Sequence, residues 1–210
     1  ISLLSSEKKN SLLATFSKLI DQNRSEILKA NYEDLDKANS LGTEEALIDR
    51  LELNDSRING ILSGINSIID LPDPIGQIED LKPTPSGIRV SQMSVPLGVI
   101  GIIYESRPNV TADAAALCLK SGNTCILKGG SEALNTNLSI AKSLSESLNK
   151  EGLPESSAQL VNTVNRGAVK ELLKMNKWLD VIIPRGGKGL VKLISDEAKV
   201  PVIKHLDGNC

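Results

Sequence analysis

Apolar positions in the N-terminal third recur at helical spacing. Leu12, Leu13, Phe16, Leu19 and Ile20 share one helical face, and Ser5 and Ser6 stand where a first turn needs a side-chain acceptor. A second helix is predicted over 24–38 from Ile27, Leu28, Ala30 and Leu35. A third follows Asn54 or Asp55, with Ile58, Ile61, Leu62, Ile65, Ile68 and Ile69 as its apolar stripe. Pro72 and Pro74 end it, because proline has no amide hydrogen and clashes with the preceding turn.

Residues 81–96 read differently. Ile88, Val90, Gln92 and Ser94 alternate with Arg89, Ser91, Met93 and Val95, so the stretch is extended, yet neither set is uniformly apolar. A strand with no apolar face has nothing to bury in its own core, which predicts an arm or an edge.

Beyond Pro96 the period changes again. Val99–Tyr104 is a short apolar run of the kind a strand covered on both faces needs. A helix follows Pro108 and stops at Ser121-Gly122-Asn123. Further strands are predicted at 125–127, 160–161 and 179–183, and a fifth begins at 200–203. Helices are predicted between them over 131–150 and 167–175 and after Gly186. Strands alternating with helices across short links give an α/β fold, a doubly wound parallel sheet preceded by N-terminal helices. Ligands on such sheets sit beyond the carboxyl ends of the strands. That places three loops at the candidate site: 105–109, 128–131 and 184–189.

Composition narrows the partners. The formal net charge is −2, with lysines and arginines scattered, so there is no basic footprint for nucleic acid and no polybasic patch for a membrane. The longest apolar runs are too short to span a bilayer, and Ile1-Ser2-Leu3-Leu4 soon gives way to charge, unlike a secretory leader. The first residue is not Met, so a natural start upstream is an open reading. Aromatics make up only 2% of the chain, so its core is expected to be aliphatic. Cys118, Cys125 and Cys210 are too few and too scattered for a disulfide framework or a metal centre, which points to a reducing, cytoplasmic setting and no metal.

Each candidate loop admits two readings. Arg185-Gly186-Gly187-Lys188 joins a buried strand to a helix; glycines would let a phosphate approach the free amides, with Arg185 or Lys188 adding charge. The same glycines serve a tight turn for steric reasons alone. Lys128-Gly129-Gly130-Ser131 stands where dinucleotide folds read the adenosine ribose, or is a glycine turn beside a solvated lysine. Glu105, Ser106, Arg107 and Asn109 face the same crevice; Arg107 could hold a phosphate or carboxylate, or the loop could serve only an ion pair between Glu105 and Arg107 or helix capping. Two glycine loops at equivalent strand ends reinforce each other, since one extended ligand could span both. Cys118 and Cys125 fall inside a helix and a strand and read as core. His205, the only histidine, follows the fifth strand and is read first as structural.

These motifs together resemble the γ-glutamyl phosphate reductases of the aldehyde dehydrogenase superfamily. The likeness rests on Val95-Pro96-Leu97-Gly98-Val99-Ile100-Gly101, Tyr104-Glu105-Ser106-Arg107-Pro108-Asn109-Val110-Thr111, and Leu117-Cys118-Leu119-Lys120-Ser121-Gly122-Asn123 with Leu127-Lys128-Gly129-Gly130. It extends through Ile183-Pro184-Arg185-Gly186-Gly187-Lys188-Gly189-Leu190 and Val202-Ile203-Lys204-His205-Leu206-Asp207-Gly208. The resemblance implies a Rossmann-like NADPH-binding domain over 1–210, made of N-terminal helices (1–80), an oligomerisation arm (81–96) and a core (97–210). It implies reduction of L-glutamyl 5-phosphate to glutamate 5-semialdehyde through a cysteine thioester. The nucleophile is expected beyond residue 210, so the chain by itself is expected to be inactive and Cys210 is not that nucleophile. Lys128 and Ser131 would face the ribose, Gly186 and Gly187 the pyrophosphate, and the 105–109 loop and His205 the substrate pocket. A homo-oligomer is implied as well. Two other readings stay open: an NADPH-binding module without chemistry, and a reductase of another acyl phosphate or acyl thioester.

Overall fold

The computed structural model describes residues 1–80, 85–165 and 167–204. Four helices come first: α1 (Ser6–Gln22), α2 (Arg24–Ser40), α3 (Glu45–Leu51) and α4 (Asp55–Asp70). Ser5 Oγ accepts from the Lys8 amide at 3.3 Å and Asn54 Oδ1 from the Arg57 amide at 2.9 Å, so α1 and α4 each begin on a side-chain cap. The short α3 was not predicted; at seven residues it is too brief to show a helical period.

An antiparallel pair follows, β1 (Ile78–Asp80) with β2 (Ser91–Met93), in which Ile78 faces Met93. Ile78, Ile88, Val90, Met93 and Val95 are all exposed, as a strand pair without a core face requires. The ladder reaches upstream of the predicted stretch to Ile78, and residues 81–84 lie outside the described part.

The sheet comprises β3 (Val99–Tyr104), β4 (Thr124–Lys128), β5 (Ala158–Leu160) and β6 (Val181–Arg185), all parallel, in the order β5-β4-β3-β6. Helices α5 (Asn109–Lys120), α6 (Leu134–Lys150), α7 (Gly167–Leu172) and α8 (Lys188–Glu197) connect the strands. A single 3-10 turn over Ser131–Ala133 opens the way into α6, where one continuous helix was expected. Of the predicted fifth strand, the described residues show one parallel bridge between Ile182 and Val202. Pro201 lacks an amide donor, so the ladder does not extend through it.

Alternation along β3 sorts the core into two faces. Ile100, Ile102 and Tyr104 pack with Cys125, Leu127, Val181 and the helices α1, α4, α5 and α6. Ile103 turns the other way, with Ile182, onto Leu172, Leu173 and Ile194 of the α7 and α8 layer. Helices on both faces of a parallel sheet make the fold doubly wound, as predicted. Cys118 and Cys125 are buried in the first of these clusters, again as predicted, and contact with Cys118, together with burial, pushes the Cys125 thiol well above its ordinary range.

Buried polar groups fasten the N-terminal helices to one another and to α5 and α6. Lys9, 1% exposed, pairs with Asp73 at 2.5 Å, and the Ser6 hydroxyl and Ile75 amide donate to the same carboxylate. Lys120 on α5 donates to Asn10 Oδ1 and the Ile69 carbonyl. Asp34 on α2 accepts from the Thr136 amide at 2.8 Å and its hydroxyl at 2.7 Å, satisfying amides in the first turn of α6 that have no helical partner.

Asp73→Asn should cost about 3 kcal/mol of stability at neutral pH, because it leaves the Lys9 ammonium buried opposite a neutral group. Burial raises the Asp73 carboxyl, but hydrogen bonds from Lys9, the Ile75 amide and Ser6 together hold it below its ordinary 3.8. A depressed folded-state value means that the contribution is complete above 3.8 and fades as pH falls through the lower value. Urea denaturation should therefore show the gap between wild type and variant wide at pH ~7 and closing toward pH ~2; a gap that stays constant counts against this role.

Candidate functional site

The strand order decides where a ligand can sit. β3 is the first strand of the sheet, the next two add on one side of it, and β6 returns to the other. The crossovers leaving β3 and β6 therefore diverge onto opposite faces and open a crevice at their carboxyl ends. Two of the predicted loops flank that crevice and the third lies beside it.

The first loop leaves β3 tightly. The Glu105 amide donates to the Arg185 carbonyl at 3.3 Å, extending the ladder by one residue, and the Arg107 amide turns back onto the Glu105 carbonyl. Pro108, already helical, caps α5. Ser106 is buried, whereas Glu105 and Arg107 are exposed. Glu105 Oε2 accepts from the Gly187 amide at 2.9 Å, the N-cap position of α8. Of the two structural alternatives for this loop, no Glu105–Arg107 ion pair forms among the described residues, whereas Glu105 does cap a helix, taking the α8 amide that the binding reading reserves for a pyrophosphate. Asn109 turns instead to Asp113, donating to its carboxylate at 2.9 Å.

Gly186 lets the Glu105 carboxylate and Leu190 close in over the turn. A Cβ on it would lie 2.7 Å from the Glu105 carboxyl carbon and 2.8 Å from Leu190 Cδ2. Lys188 opens α8 and is exposed beside Arg185, Gly186 and Gly187.

At the end of β4 the structure departs from a solvated lysine. Lys128 is 5% exposed and its ammonium donates to the Gly129 carbonyl at 2.6 Å. Burial lowers its pKa, an effect that the nearby Glu132 carboxylate opposes. Gly129 is hemmed in: a Cβ would stand 2.3 Å from Asn137 Nδ2 and 3.0 Å from the Tyr104 ring. Those two side chains belong to a buried chain of hydrogen bonds, with Thr111 Oγ1 2.7 Å from the Tyr104 hydroxyl and 2.9 Å from Asn137 Oδ1. Ser131 is exposed at the mouth, and its hydroxyl lies 3.5 Å from a Glu132 carboxylate oxygen.

Two cavities lie on either side of Glu105. One, about 300 Å³, runs between Lys128–Glu132 and the apolar Val164, Val169, Leu190 and Leu193. The other, about 380 Å³, is bounded by Ser106, Arg107, Arg185, Gly186 and Gly187, and by Arg50 from α3. Glu105 lines both, so a single elongated molecule could run from the apolar slot, past the α8 amides, to the arginines. The sequence reading missed Arg50 and the apolar walls. Arg50 lies on the helix that was not predicted, and Val164 and Leu193 carry no chemistry that would mark them in a sequence. His205 and Cys210 lie outside the described residues. Among the described residues, no group of three or more His, Cys, Asp or Glu side chains could hold a metal ion, and no helix is long and apolar enough to cross a membrane.

The profile of the aldehyde dehydrogenase family matches residues 1–208. The chain belongs to the aldehyde dehydrogenase family. Within that family it is 57% identical over 202 residues to the γ-glutamyl phosphate reductase of Ruthia magnifica subsp. Calyptogena magnifica, a match covering 96% of this chain and 48% of that protein. The crystal structure of the γ-glutamyl phosphate reductase of Thermotoga maritima superposes with a TM-score of 0.94 at 42% identity, covering 100% of this chain and 50% of that one. The corresponding Saccharomyces cerevisiae structure gives 0.89 at 34% identity, covering 99% and 53%. The chain thus spans about half the length of the family members it matches.

The two glycines after Lys128 should differ sharply on substitution. Gly129→Ala drives a methyl into the buried Asn137 and Tyr104 and should cost about 1–3 kcal/mol. Gly130→Ala meets only the movable Glu132 carboxylate and should be nearly neutral. Thermal unfolding of both variants checks the contrast, and equal losses would contradict the steric reading.

Proposed function

We propose that this chain forms the NADPH-binding part and one wall of the substrate site of a γ-glutamyl phosphate reductase. The carrying observation is the elongated path from an apolar slot, past the amides of α8, to a cavity with three arginines. The names of the similar proteins support the same reading. NADPH would supply hydride. The apolar slot walled by Val164 and Leu193 would take the adenine, with Lys128 and Ser131 at the ribose. The amides of Gly186 and Gly187, with Arg185 and Lys188 beside them, would receive the pyrophosphate. That requires the Glu105 carboxylate to leave the Gly187 amide. Cys118 and Cys125 are buried in the core, so neither would carry the acyl chain, a task that the resemblance assigns to another cysteine. Its thiolate attacks the acyl phosphate carbon, the C–O bond to phosphate breaks, and hydride reaching the thioester carbon releases thiolate and aldehyde.

The arm adds a partner of the same kind. β1 and β2 leave exposed edges and a row of exposed apolar side chains, which suits pairing with a second copy of this chain. Analytical ultracentrifugation should give a mass above the monomer for wild type, and Met93→Lys, which charges that exposed face, should return it toward the monomer. Identical monomer masses for both would leave the arm without this role.

NADPH should bind more tightly than NADH. A domain that favours NADH sets a carboxylate on the ribose hydroxyls, and that carboxylate repels a 2′-phosphate. Here the position holds Ser131, with the Lys128 ammonium and free amides nearby, while Glu132 must swing from the mouth. Each charge-assisted contact is worth about 1.5–3 kcal/mol. Calorimetric titration of Ser131→Glu should therefore show NADPH affinity falling by about tenfold or more, with NADH affinity little changed. Equal losses for the two cofactors would defeat the assignment.

A further inference from the structure

Between α3, α4 and the start of α5 lies another cavity of about 380 Å³. It opens into the crevice at Arg50 and Arg107, which line both. Its charges are unevenly matched. Arg57 is engaged by Asp49 at 2.6 Å and by Glu52 at 3.8 Å. Asp113, half-buried on α5, has only the Asn109 amide as a side-chain partner among the described residues. Burial pushes its carboxyl above the ordinary range, against the pull of that hydrogen bond. A carboxylate in such a position gains most from an incoming cation. Arg50 and Arg107 likewise form no ion pair among the described residues. The groove is kept open by α4: a Cβ on Gly60 would meet nothing within 4 Å, and one on Gly64 would stand 3.5 Å from Asp113 Oδ1.

We propose that this cavity holds the amino-acid end of the substrate, with Asp113 receiving an α-ammonium group and Arg50 and Arg107 the α-carboxylate. The acyl phosphate end then points into the crevice toward Gly186 and Gly187. The proposal rests on the reductase reading of that crevice and adds the residues that tell an α-amino acid from a plain dicarboxylic acid. A zwitterion needs a cation and an anion within one site, and these side chains supply both in the lining of one cavity.

The test uses two probes, L-glutamate and glutarate; the second has both carboxylates and no ammonium. Isotope-labelled chain is titrated with each and followed by amide shifts at Gly60 and the Asn109 side chain. L-Glutamate should bind about tenfold more tightly than glutarate. Asp113→Asn should remove that preference while glutarate affinity holds or rises, and Asp113→Glu should restore part of it. Gly60→Val, whose side chain would project into the open groove, should exclude both probes and leave thermal stability intact. Equal affinity of wild type for the two probes, no binding of L-glutamate, or a preference that survives Asp113→Asn overturns the proposal. Should Asp113→Asn fail to fold, Gly60→Val decides, and undiminished L-glutamate binding there overturns it. NADPH titrated into the same samples separates the two readings. NADPH binding without probe discrimination defeats this subsite alone, whereas wild type that does not bind NADPH defeats the reductase reading.

Discussion

Pairing of β3 on both sides is the constraint on which the site depends. Ile100–Ile103 bond to β4 on one flank and Ile100–Tyr104 to β6 on the other. A strand held on both flanks cannot shift by one residue without moving Ile100, Ile102 and Tyr104 from one core to the other. Its register therefore fixes the heights of Glu105 and Arg185. It also forces the crossovers from β3 and β6 onto opposite faces. The crevice, the meeting of Glu105 with Gly187, and the access from α3 all follow from that topology.

The N-terminal helices belong to the same argument. Their apolar contacts with α5 and α6 are largely aliphatic, which gives burial but little orientation. Orientation comes from polar pins: Lys9 on Asp73, Lys120 on Asn10 and the Ile69 carbonyl, and Glu151 on Lys8, Ser11 and Thr15. Asn31 bridges the Leu51 carbonyl, the Leu53 amide and Thr136, tying the end of α3 to the start of α6. Fixing α3 in this way puts Arg50 beside a crevice built by a distant part of the chain. An unpaired group in any such pin would be costly, so the arrangement specifies one docking of helices on sheet rather than several.

Much of this was legible in the sequence because it is local or periodic. Helical spacing disclosed α1, α2 and α4, and apolar runs disclosed β3, β4 and β6, each within a residue or two of its place. The mixed faces of 88–95 disclosed an exposed arm. What failed to show depends on contacts distant in sequence or on lengths too short for a period. The seven residues of α3 make less than two helical turns. Of the last strand the described residues show one bridge, and Pro201 interrupts its donors. Lys128 read as a solvated or ligand-facing charge; its position under the loop follows from Gly129 packing against Asn137, and no local pattern encodes that. The pairing of Glu105 with Gly187 joins residues 82 apart in sequence and is set by strand register alone.

That pairing bears on how the crevice discriminates among ligands. An amide at a helix start attracts any anion, and Glu105 satisfies it with an oxygen already tethered nearby. An incoming ligand must replace an intramolecular contact whose ordering entropy is largely paid in the fold. A single weak anion gains little by that exchange. A pyrophosphate seated as proposed would meet the amides of Gly186 and Gly187 and the cations of Arg185 and Lys188 together, so its gains would accumulate over several contacts. If a ligand displaced it from Gly187, the Glu105 carboxylate would still line both cavities, one of which Arg107 and Arg185 also line. Its charge would then partly offset theirs, which would lower the pull of the arginine cavity on stray anions. On the proposed reading, the same side chain would hold the amide offered to a phosphate until a ligand displaced it, and would temper the arginines afterwards. Both effects follow from one carboxylate placed at the end of β3.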